Sequence, residues 1–403
     1  MEKFEVAVVG GGLAGQIAAL ALARAGRKIV LLAPEPAAAD KRTTALMDQS
    51  IRFMERLGVW ENMAGSTAAL STMQIIDGTK RLLRAPPVAF RASEVGLHAF
   101  GYNFPNAAML PVLSAALEAE PNATLRKAAA ERISHRTDAV EILLADGSLI
   151  EADFVVGADG RRSPVRDSAG IDVRTWSYPQ SALVLNFRHE RPHRNVSTEF
   201  HTEAGPFTQV PLPGDRSSLV WVMKPAEAEA MRDLPLAELS RRVEERMQSL
   251  LGKVEVEEGV QAWPLSGMMA KAFGKGRVAL VGEASHVFPP IGAQGLNLSL
   301  RDIMALVDII APSSGGPIPA DAGDRFDRKR RADVMSRTAS VDLLNRSLLS
   351  DFLPMQMLRA AGLHVLASVP PLRGLVMREG VEPGRGFRSI PSALREKLRR
   401  KEA

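Results

Sequence analysis

The sequence predicts an α/β fold in which a parallel-sheet nucleotide-binding domain is interrupted by an antiparallel β-sheet domain and followed by a C-terminal helical region. Three observations lead there. A strand, a glycine turn, a helix and a second strand open the chain within about its first 33 residues. Two further strands run into glycine-containing loops far downstream, at Gly157 and at Gly282. Between these loops, residues 176–265 alternate apolar and polar side chains and are broken by Pro211, Pro213 and Gly214, the texture of antiparallel strands.

In order along the chain, residues 4–9 read as a buried strand, 13–25 as an alanine- and leucine-rich helix stopped by Gly26, and 28–33 as a strand parallel to the first. Residues 150–156 and 277–281 are the two later strands of the same domain. In the middle region, 182–187 and 218–223 are the clearest strands. Residues 234–251 and 324–349 are expected to be helical, the second joined loosely to the body by the Pro/Gly segment 311–323.

Composition narrows the function classes. A chain of 403 residues with 46% apolar and 24% charged residues is an ordinary globular protein of two or three domains. It has no cysteine, which excludes disulfides, thiolate metal sites, iron–sulfur clusters and a cysteinyl nucleophile, so redox chemistry has to come from a bound cofactor. No metal site is expected. The first residues lack a signal-peptide pattern and no apolar run approaches the roughly 20 residues of a spanning helix, so the expected location is the cytoplasm. Residues 385–403 carry seven basic and two acidic residues, an excess equal to the net charge of +5 of the whole chain. A solvated tail is the favoured reading of this stretch, with contact to anionic lipid as the alternative; nucleic-acid binding has no support.

Gly10-Gly11-Gly12-Leu13-Ala14-Gly15 fits the GxGxxG pattern between strand and helix. There Gly10 makes the turn, Gly12 admits a pyrophosphate and Gly15 lets helix pack on strand, so a dinucleotide is expected at the helix N-terminus. The acidic residue usual about 20 positions on, which bonds the ribose, is replaced by Ala33. Glu35 is the nearest substitute, and an exposed loop carboxylate is an equal reading of it.

The decapeptide Gly157-Ala158-Asp159-Gly160-Arg161-Arg162-Ser163-Pro164-Val165-Arg166 resembles the GADGxxSxVR motif of flavoprotein aromatic hydroxylases. That resemblance places Asp159 and Gly160 near the ribose and pyrophosphate of FAD. Residues 277–302, including Gly282-Glu283-Ala284-Ser285-His286, Pro289-Pro290, Gly292-Ala293-Gln294-Gly295-Leu296-Asn297 and Asp302, resemble the same family's flavin-ribityl segment. It implies that Glu283, where aspartate is usual, reaches the ribityl hydroxyls, that Pro290 walls the isoalloxazine, and that residues 292–297 open a helix whose N–H groups face the reduced flavin. Arg42 matches an arginine on the cofactor or substrate side. His286 is the one catalytic candidate, with a structural role favoured.

Together with Trp176, Tyr178, Pro206, Pro211, Pro213, Trp221 and the Asp342 to Arg346 stretch, these motifs make the chain similar to the ubiquinone-biosynthesis FAD-dependent hydroxylases, within the aromatic flavoprotein monooxygenases. The resemblance implies a Rossmann-like FAD-binding domain (1–75, 105–175 and 266–320), a substrate-binding sheet domain (76–104 and 176–265), a helical region (321–384) and a basic tail (385–403). It implies FAD as cofactor, NAD(P)H as a transient reductant, and O2 with a polyprenylated phenol as substrates, the oxygen delivered from a flavin C4a-hydroperoxide. A quinone-biosynthesis assembly and peripheral membrane contact are further expectations, with 352–377 as the apolar candidate for the prenyl tail. No catalytic base can be named from spacing. A prenyl-lipid reductase and a non-catalytic FAD-bound component are the alternative readings.

Overall fold

The computed structural model describes residues 1–35, 42–79, 87–202, 205–289, 294–311 and 316–349, with Arg373, Gly374 and Met377. Most of the apolar 352–377 segment and all of the basic 385–403 tail lie outside them. The first part of the chain forms β1 (Glu2–Val9), α1 (Leu13–Arg24), β2 (Ile29–Leu32), β3 (Thr43–Met47), α2 (Asp48–Arg56), α3 (Glu61–Ala64), β4 (Ala68–Ala69), β5 (Thr72–Asp77), β6 (Val88–Arg91) and β7 (Gly101–Pro105). Then come α4 (Asn106–Glu118), β8 (Ala123–Arg126), β9 (Ala130–His135), β10 (Val140–Leu144), β11 (Leu149–Gly157), α5 (Pro164–Ser168) and β12 (Val173–His189). The rest comprises β13 (Val196–Thr202), β14 (Gly205–Leu212), β15 (Arg216–Met223), α6 (Pro225–Arg232), α7 (Leu236–Arg246), β16 (Val254–Val256), β17 (Gln261–Ala270), β18 (Gly274–Lys275), β19 (Val278–Leu280), β20 (His286–Val287), α8 (Gln294–Ile310) and α9 (Ala322–Leu349).

Two large sheets organise these elements. The first runs β18-β19-β11-β1-β2-β8, with β9 and β10 added beside β11. Its central strands β19, β11, β1, β2 and β8 are all parallel, which requires crossovers and buries both faces. That burial explains the apolar runs: Val6, Ala7 and Val8 have no exposed surface, nor do Phe154, Val155 and Val156. Helix α1 is buried from Gly15 to Ala23 because it lies between α4 and α8, so it carries small and aliphatic residues on every side rather than one stripe. It stops where Gly26 takes a left-handed conformation (φ +89°).

The second sheet runs β20-β17-β12-β15-β14-β13-β5-β6, with β16 beside β12, and is mainly antiparallel. The two strands read most clearly from sequence pair directly, Ala182 opposite Val222 and Phe187 opposite Ser217. One face is sealed by α7 and its C-cap residue Met247: Leu239, Val243 and Met247 pack on Leu183, Leu185, Phe207, Leu219 and Trp221. A small third sheet, β3-β7-β4, spans the space between the two large ones.

Three sequence expectations need correction. The helix expected over 234–251 is α7, and it ends at Arg246 because Gln248 and Ser249 adopt positive φ. The boundaries drawn at 75/76, 175/176 and 265/266 fall inside β5, β12 and β17, each of which continues unbroken across them. The 311–323 segment is not a loose joint at its described ends. Buried Arg27 donates to the carbonyls of Ile310 (2.7 Å) and Gly316 (2.8 Å), and Gly323 donates to Gly276. A Cβ at Gly323 would lie 2.3 Å from the Val278 carbonyl oxygen, so glycine is needed for α9 to start against β18 and β19. No helix among the described residues is long and apolar enough to cross a membrane.

Candidate cofactor site

The turn after β1 is built as its glycines require. Gly10 has φ +121°, and a Cβ there would meet the Ala158 carbonyl oxygen at 2.2 Å; a Cβ at Gly15 would meet the Gly10 oxygen at 1.8 Å. Gly12, by contrast, faces open space with no atom within 4 Å of its would-be Cβ. It is the N-cap of α1 and offers no side-chain cap, and the first helical turn, which includes Leu13 and Ala14, has no acidic residue. First-turn N–H groups lack intrahelical acceptors, so this end presents unused donors and a positive dipole to an anion. Buried Gln16 holds the turn from behind by donating to the Gly11 carbonyl and accepting from Ser114.

Ala33 lies where an acidic residue was expected, and its side chain packs under the turn: a Cβ at Gly11 would be 2.7 Å from that of Ala33, so position 11 needs glycine. Glu35, the proposed substitute, is exposed and paired with Lys127 at 3.2 Å.

The second motif closes over the first. Gly160 needs its glycine for φ +80°, and Ser163 caps α5 by accepting from the Arg166 N–H. Asp159 accepts from the Val165 N–H at 3.0 Å through one carboxylate oxygen, while its other oxygen, Oδ1, is buried without a partner. Burial pushes the Asp159 carboxyl above the usual aspartate range against the opposing hydrogen bonds of Ser163 and Val165. Arg166, itself buried, donates to the carbonyls of Arg161 and Ala284, tying the second motif to the third.

In the third motif Glu283 sits half-exposed between two arginines, 3.0 Å from Arg161 and 3.9 Å from Arg42. The three residues therefore form one charged edge of the site. Gly295 is exposed with open space above it, and Leu296 is half-buried. Gln294 opens α8; Pro290 and Gly292 lie outside the described residues. The Asn297 side chain does not point at an open site. Its oxygen accepts from the Met47 N–H and Ser50 Oγ, and its nitrogen donates to Ala45, so its amide clamps the β3–α2 corner onto α8. His286 is buried, bonded to Asp302 at 2.6 Å and stacked on Phe288, an architectural position.

Arg161, Arg166 and Gln16 were not singled out from sequence. The two arginines stand inside a quoted motif, but only the fold reveals that one is buried and the other meets Glu283. Taken together, the uncapped α1 terminus, the space over Gly12, Gly160 and Gly295, and the unpartnered Asp159 oxygen fit a dinucleotide. Its pyrophosphate needs amide donors at close range, and its ribose hydroxyls need an acceptor. The fold and this site define a dinucleotide-binding protein.

Residues 3–340 match the FAD binding domain family. The ubiquinone hydroxylase UbiL of Rhodospirillum rubrum is 33% identical over 96% of this chain and 93% of its own length. The 3-demethoxyubiquinol 3-hydroxylase of Escherichia coli is 31% identical over 89% of this chain and 93% of its own length. Among solved structures, p-nitrophenol 4-monooxygenase PnpA of Pseudomonas putida superposes with a TM-score of 0.76 at 21% identity, covering 96% of this chain and 98% of that one. PqsL of Pseudomonas aeruginosa gives 0.74 at 22%, covering 90% and 100%. The chain belongs to the ubiquinone-hydroxylase family of FAD-dependent monooxygenases, with FAD as its cofactor.

Proposed function

We propose that this protein hydroxylates the aromatic ring of a polyprenylated phenol in ubiquinone biosynthesis, consuming O2 and using NAD(P)H as a transient reductant. The observation that carries this reading is the extent of the similarity to UbiL, which runs through the antiparallel sheet as well as the nucleotide-binding elements. A shared FAD cradle alone would support only the cofactor; likeness in the second sheet speaks to the substrate.

When bound and reduced, FAD supplies the electrons that activate O2 for insertion into the ring. The chain's own residues do the rest. Gly12 and the amides of Leu13 and Ala14 would hold the pyrophosphate in the turn that Gly10 and Gly15 shape, with Asp159 and Gly160 beside the ribose. Glu283, oriented by Arg42 and Arg161, would meet the ribityl chain, and the α8 start with Gln294, Gly295, Leu296 and the backbone of Asn297 would face the ring system. Pro290 and Gly292 are assigned by the motif.

For the prenyl tail, support comes from an apolar cluster on the second sheet. Met47, Met73, Phe90, Leu97 and Phe100 pack with Met377, which lies against this sheet's outer strands. Arg373 fixes that approach by bonding Glu94 at 2.7 Å and lying over the Phe90 ring. Tail entry along this cluster suits an enzyme that draws its substrate from a lipid surface or from other proteins of a quinone-synthesis assembly.

The test is deletion of the gene in its native host with mass-spectrometric profiling of isoprenoid quinones and their precursors, and complementation by wild type or Gly12→Asp. The expected result is an under-hydroxylated precursor cleared by wild type and not by the variant. A normal quinone profile in a host with no second hydroxylase overturns the substrate assignment and leaves the flavoenzyme.

A further inference from the structure

Sequence spacing alone gave no group to take the phenol proton; the second sheet supplies one. Side chains alternate between the faces of a strand, and the face opposite α7 can be read across the registers. Val184 lies opposite Val220, Val220 opposite Thr208, Thr208 opposite Glu199 and Glu199 opposite Ile75. All five residues are half-buried, whereas their neighbours on the α7 face, Leu183, Leu219, Phe207 and Phe200, are fully buried. This row is a largely aliphatic floor carrying one carboxylate and one hydroxyl.

The floor faces the cofactor motifs. Asn103 of β7 donates to the Pro211 carbonyl and to Ser218 Oγ, and Ser218 lies two residues from Val220 on the same face. Strand β7 pairs with β3, and the Ala45 carbonyl of β3 accepts from Asn297 at the start of α8. One short sheet thus connects this face to the helix that opens on the flavin.

On the floor, Glu199 is held by two donors. His201 Nε2 lies 2.8 Å from Oε1 and Thr208 Oγ1 donates to Oε2 at 3.2 Å. Side-chain exposure is 10% for His201 and 25% for Glu199, so the histidine is enclosed while part of the glutamate side chain stays accessible. Each carboxylate oxygen has about two lone-pair directions, and each is engaged once by these donors. Asp77 stands opposite His201 across β5 and accepts from Thr79. An aliphatic floor with a braced carboxylate suits a phenol whose hydroxyl needs an acceptor.

We propose that Glu199 is a catalytic residue that accepts the hydrogen bond of the substrate's phenol and takes its proton as the ring is oxygenated, with His201 and Thr208 as positioning residues. This rests on the phenol reading given above. In the step, the phenol O–H bond breaks and its proton passes to Glu199, while its electron pair becomes the new C=O bond. A ring π pair forms the C–O bond to the O2-derived oxidant, whose O–O bond breaks, so that the ring is oxidised by two electrons and the oxidant reduced. The attacked carbon then releases its hydrogen as a proton to solvent while Glu199 returns its proton to the phenol oxygen, restoring the aromatic ring. The oxidant is the O2-derived oxygen supplied by the established flavin reaction. A free phenol is too weak an acid for a carboxylate to ionise outright, by about six pKa units. As electrophilic oxygen adds to the ring, positive charge develops on the phenol oxygen and its acidity rises steeply, so a carboxylate already hydrogen-bonded to it serves as the base.

The test uses FAD-loaded protein with 2-geranylphenol and its O-methyl ether, which has no proton to give. Affinities are read from flavin fluorescence, and product formed is compared with hydrogen peroxide released. Glu199→Gln is expected to weaken phenol binding about tenfold, the scale of one charge-assisted hydrogen bond, and to leave ether binding unchanged. It is also expected to divert turnover toward peroxide. A merely structural loss would weaken both ligands alike. If Glu199→Gln fails to retain FAD, Glu199→Asp makes the same comparison, with an expected loss of about threefold for the phenol alone. Wild type that hydroxylates the phenol, with a folded Glu199 variant equal to it in affinity and coupling, overturns the role of Glu199 and leaves the substrate reading standing. Wild type that binds neither ligand overturns both.

Discussion

Asp302 on α8 and Arg330 on α9 are bonded at 2.7 Å with side chains only 2% and 7% exposed, and the second oxygen of Asp302 holds His286 at 2.6 Å. Arg330 continues to Asp333, which also meets Arg301 and Arg337. Burial, reinforced by Arg337, lowers the Arg301 guanidinium to about 10; at Arg330 burial acts the same way, but the carboxylates of Asp302 and Asp333 outweigh it and raise the pKa. The third cofactor motif is therefore fastened to the C-terminal helix by charges that can be buried only together. Asp302→Ala leaves buried Arg330 to Asp333 alone and His286 without its carboxylate, and is expected to cost about 3 kcal/mol of stability, measured by urea denaturation. A loss below about 1 kcal/mol would mean that water or rearrangement compensates Arg330.

Gly12 and Gly15 separate cofactor binding from folding. Gly15→Ala forces a methyl onto the Gly10 carbonyl oxygen, 1.8 Å away, and is expected to cost at least the 1–3 kcal/mol typical of overpacking, at about the same scale with or without FAD. Gly12→Ala meets nothing and keeps an ordinary φ of −73°. Alanine is a poorer N-cap than glycine, so its stability is expected to fall by about 0.5–1 kcal/mol, while FAD affinity falls about tenfold if the methyl occupies the approach of the pyrophosphate. Urea titration of the FAD-free proteins and fluorescence titration with FAD make the comparison. Equal FAD affinity of Gly12→Ala and wild type would place the pyrophosphate elsewhere.

The parallel sheet was legible because its strands are buried on both faces and stopped by glycines, so β1, α1, β2, β11 and β19 are found within a few residues of where the sequence puts them. Loop motifs were legible because backbone geometry admits few residues at Gly10, Gly15 and Gly160. Side-chain direction was not. Asn297 belongs to the recognised ribityl segment, yet its amide faces β3, a partner about 250 residues away in sequence. Glu199 and His201 carry no motif at all. Their pairing depends on strand spacing, which is local, but their importance depends on which face β13 turns to the cofactor elements, and that is set by α7 and β7.

Asp159 gives the FAD-free protein a pH dependence. Its folded carboxyl titrates above the usual 3.8, so between that value and its own pKa the folded state holds a proton that the unfolded chain has released. Folding stability therefore falls as pH rises through this window, and the full penalty applies above it. Asp159→Asn is expected to raise the melting temperature of the FAD-free protein at pH 7, to flatten its dependence on pH above 3.8, and to weaken FAD, because with the amide oxygen taking the Val165 N–H an NH2 donor replaces the second acceptor oxygen. A pH profile identical to wild type would show that water reaches the carboxylate and relieves its burial.

Glu283 tests whether the charged edge serves the cofactor or the fold. Its side chain is 46% exposed, and those of Arg161 and Arg42 are 54% and 57% exposed, so solvent screens both pairs. Exposed pairs of this kind contribute about 0–1 kcal/mol, and Glu283→Gln is expected to change the stability of the FAD-free protein by less than that. The same substitution removes the carboxylate proposed to accept from the ribityl hydroxyls and leaves two arginines facing the site. FAD affinity is therefore expected to fall about tenfold at low salt, the scale of a lost charge-assisted hydrogen bond. Glu283→Asp keeps the charge but withdraws it by one methylene from Arg161, so its affinity should lie between the two. If Glu283→Gln binds FAD as wild type does, the carboxylate serves only to hold Arg42 and Arg161, and the ribityl chain finds its acceptor elsewhere.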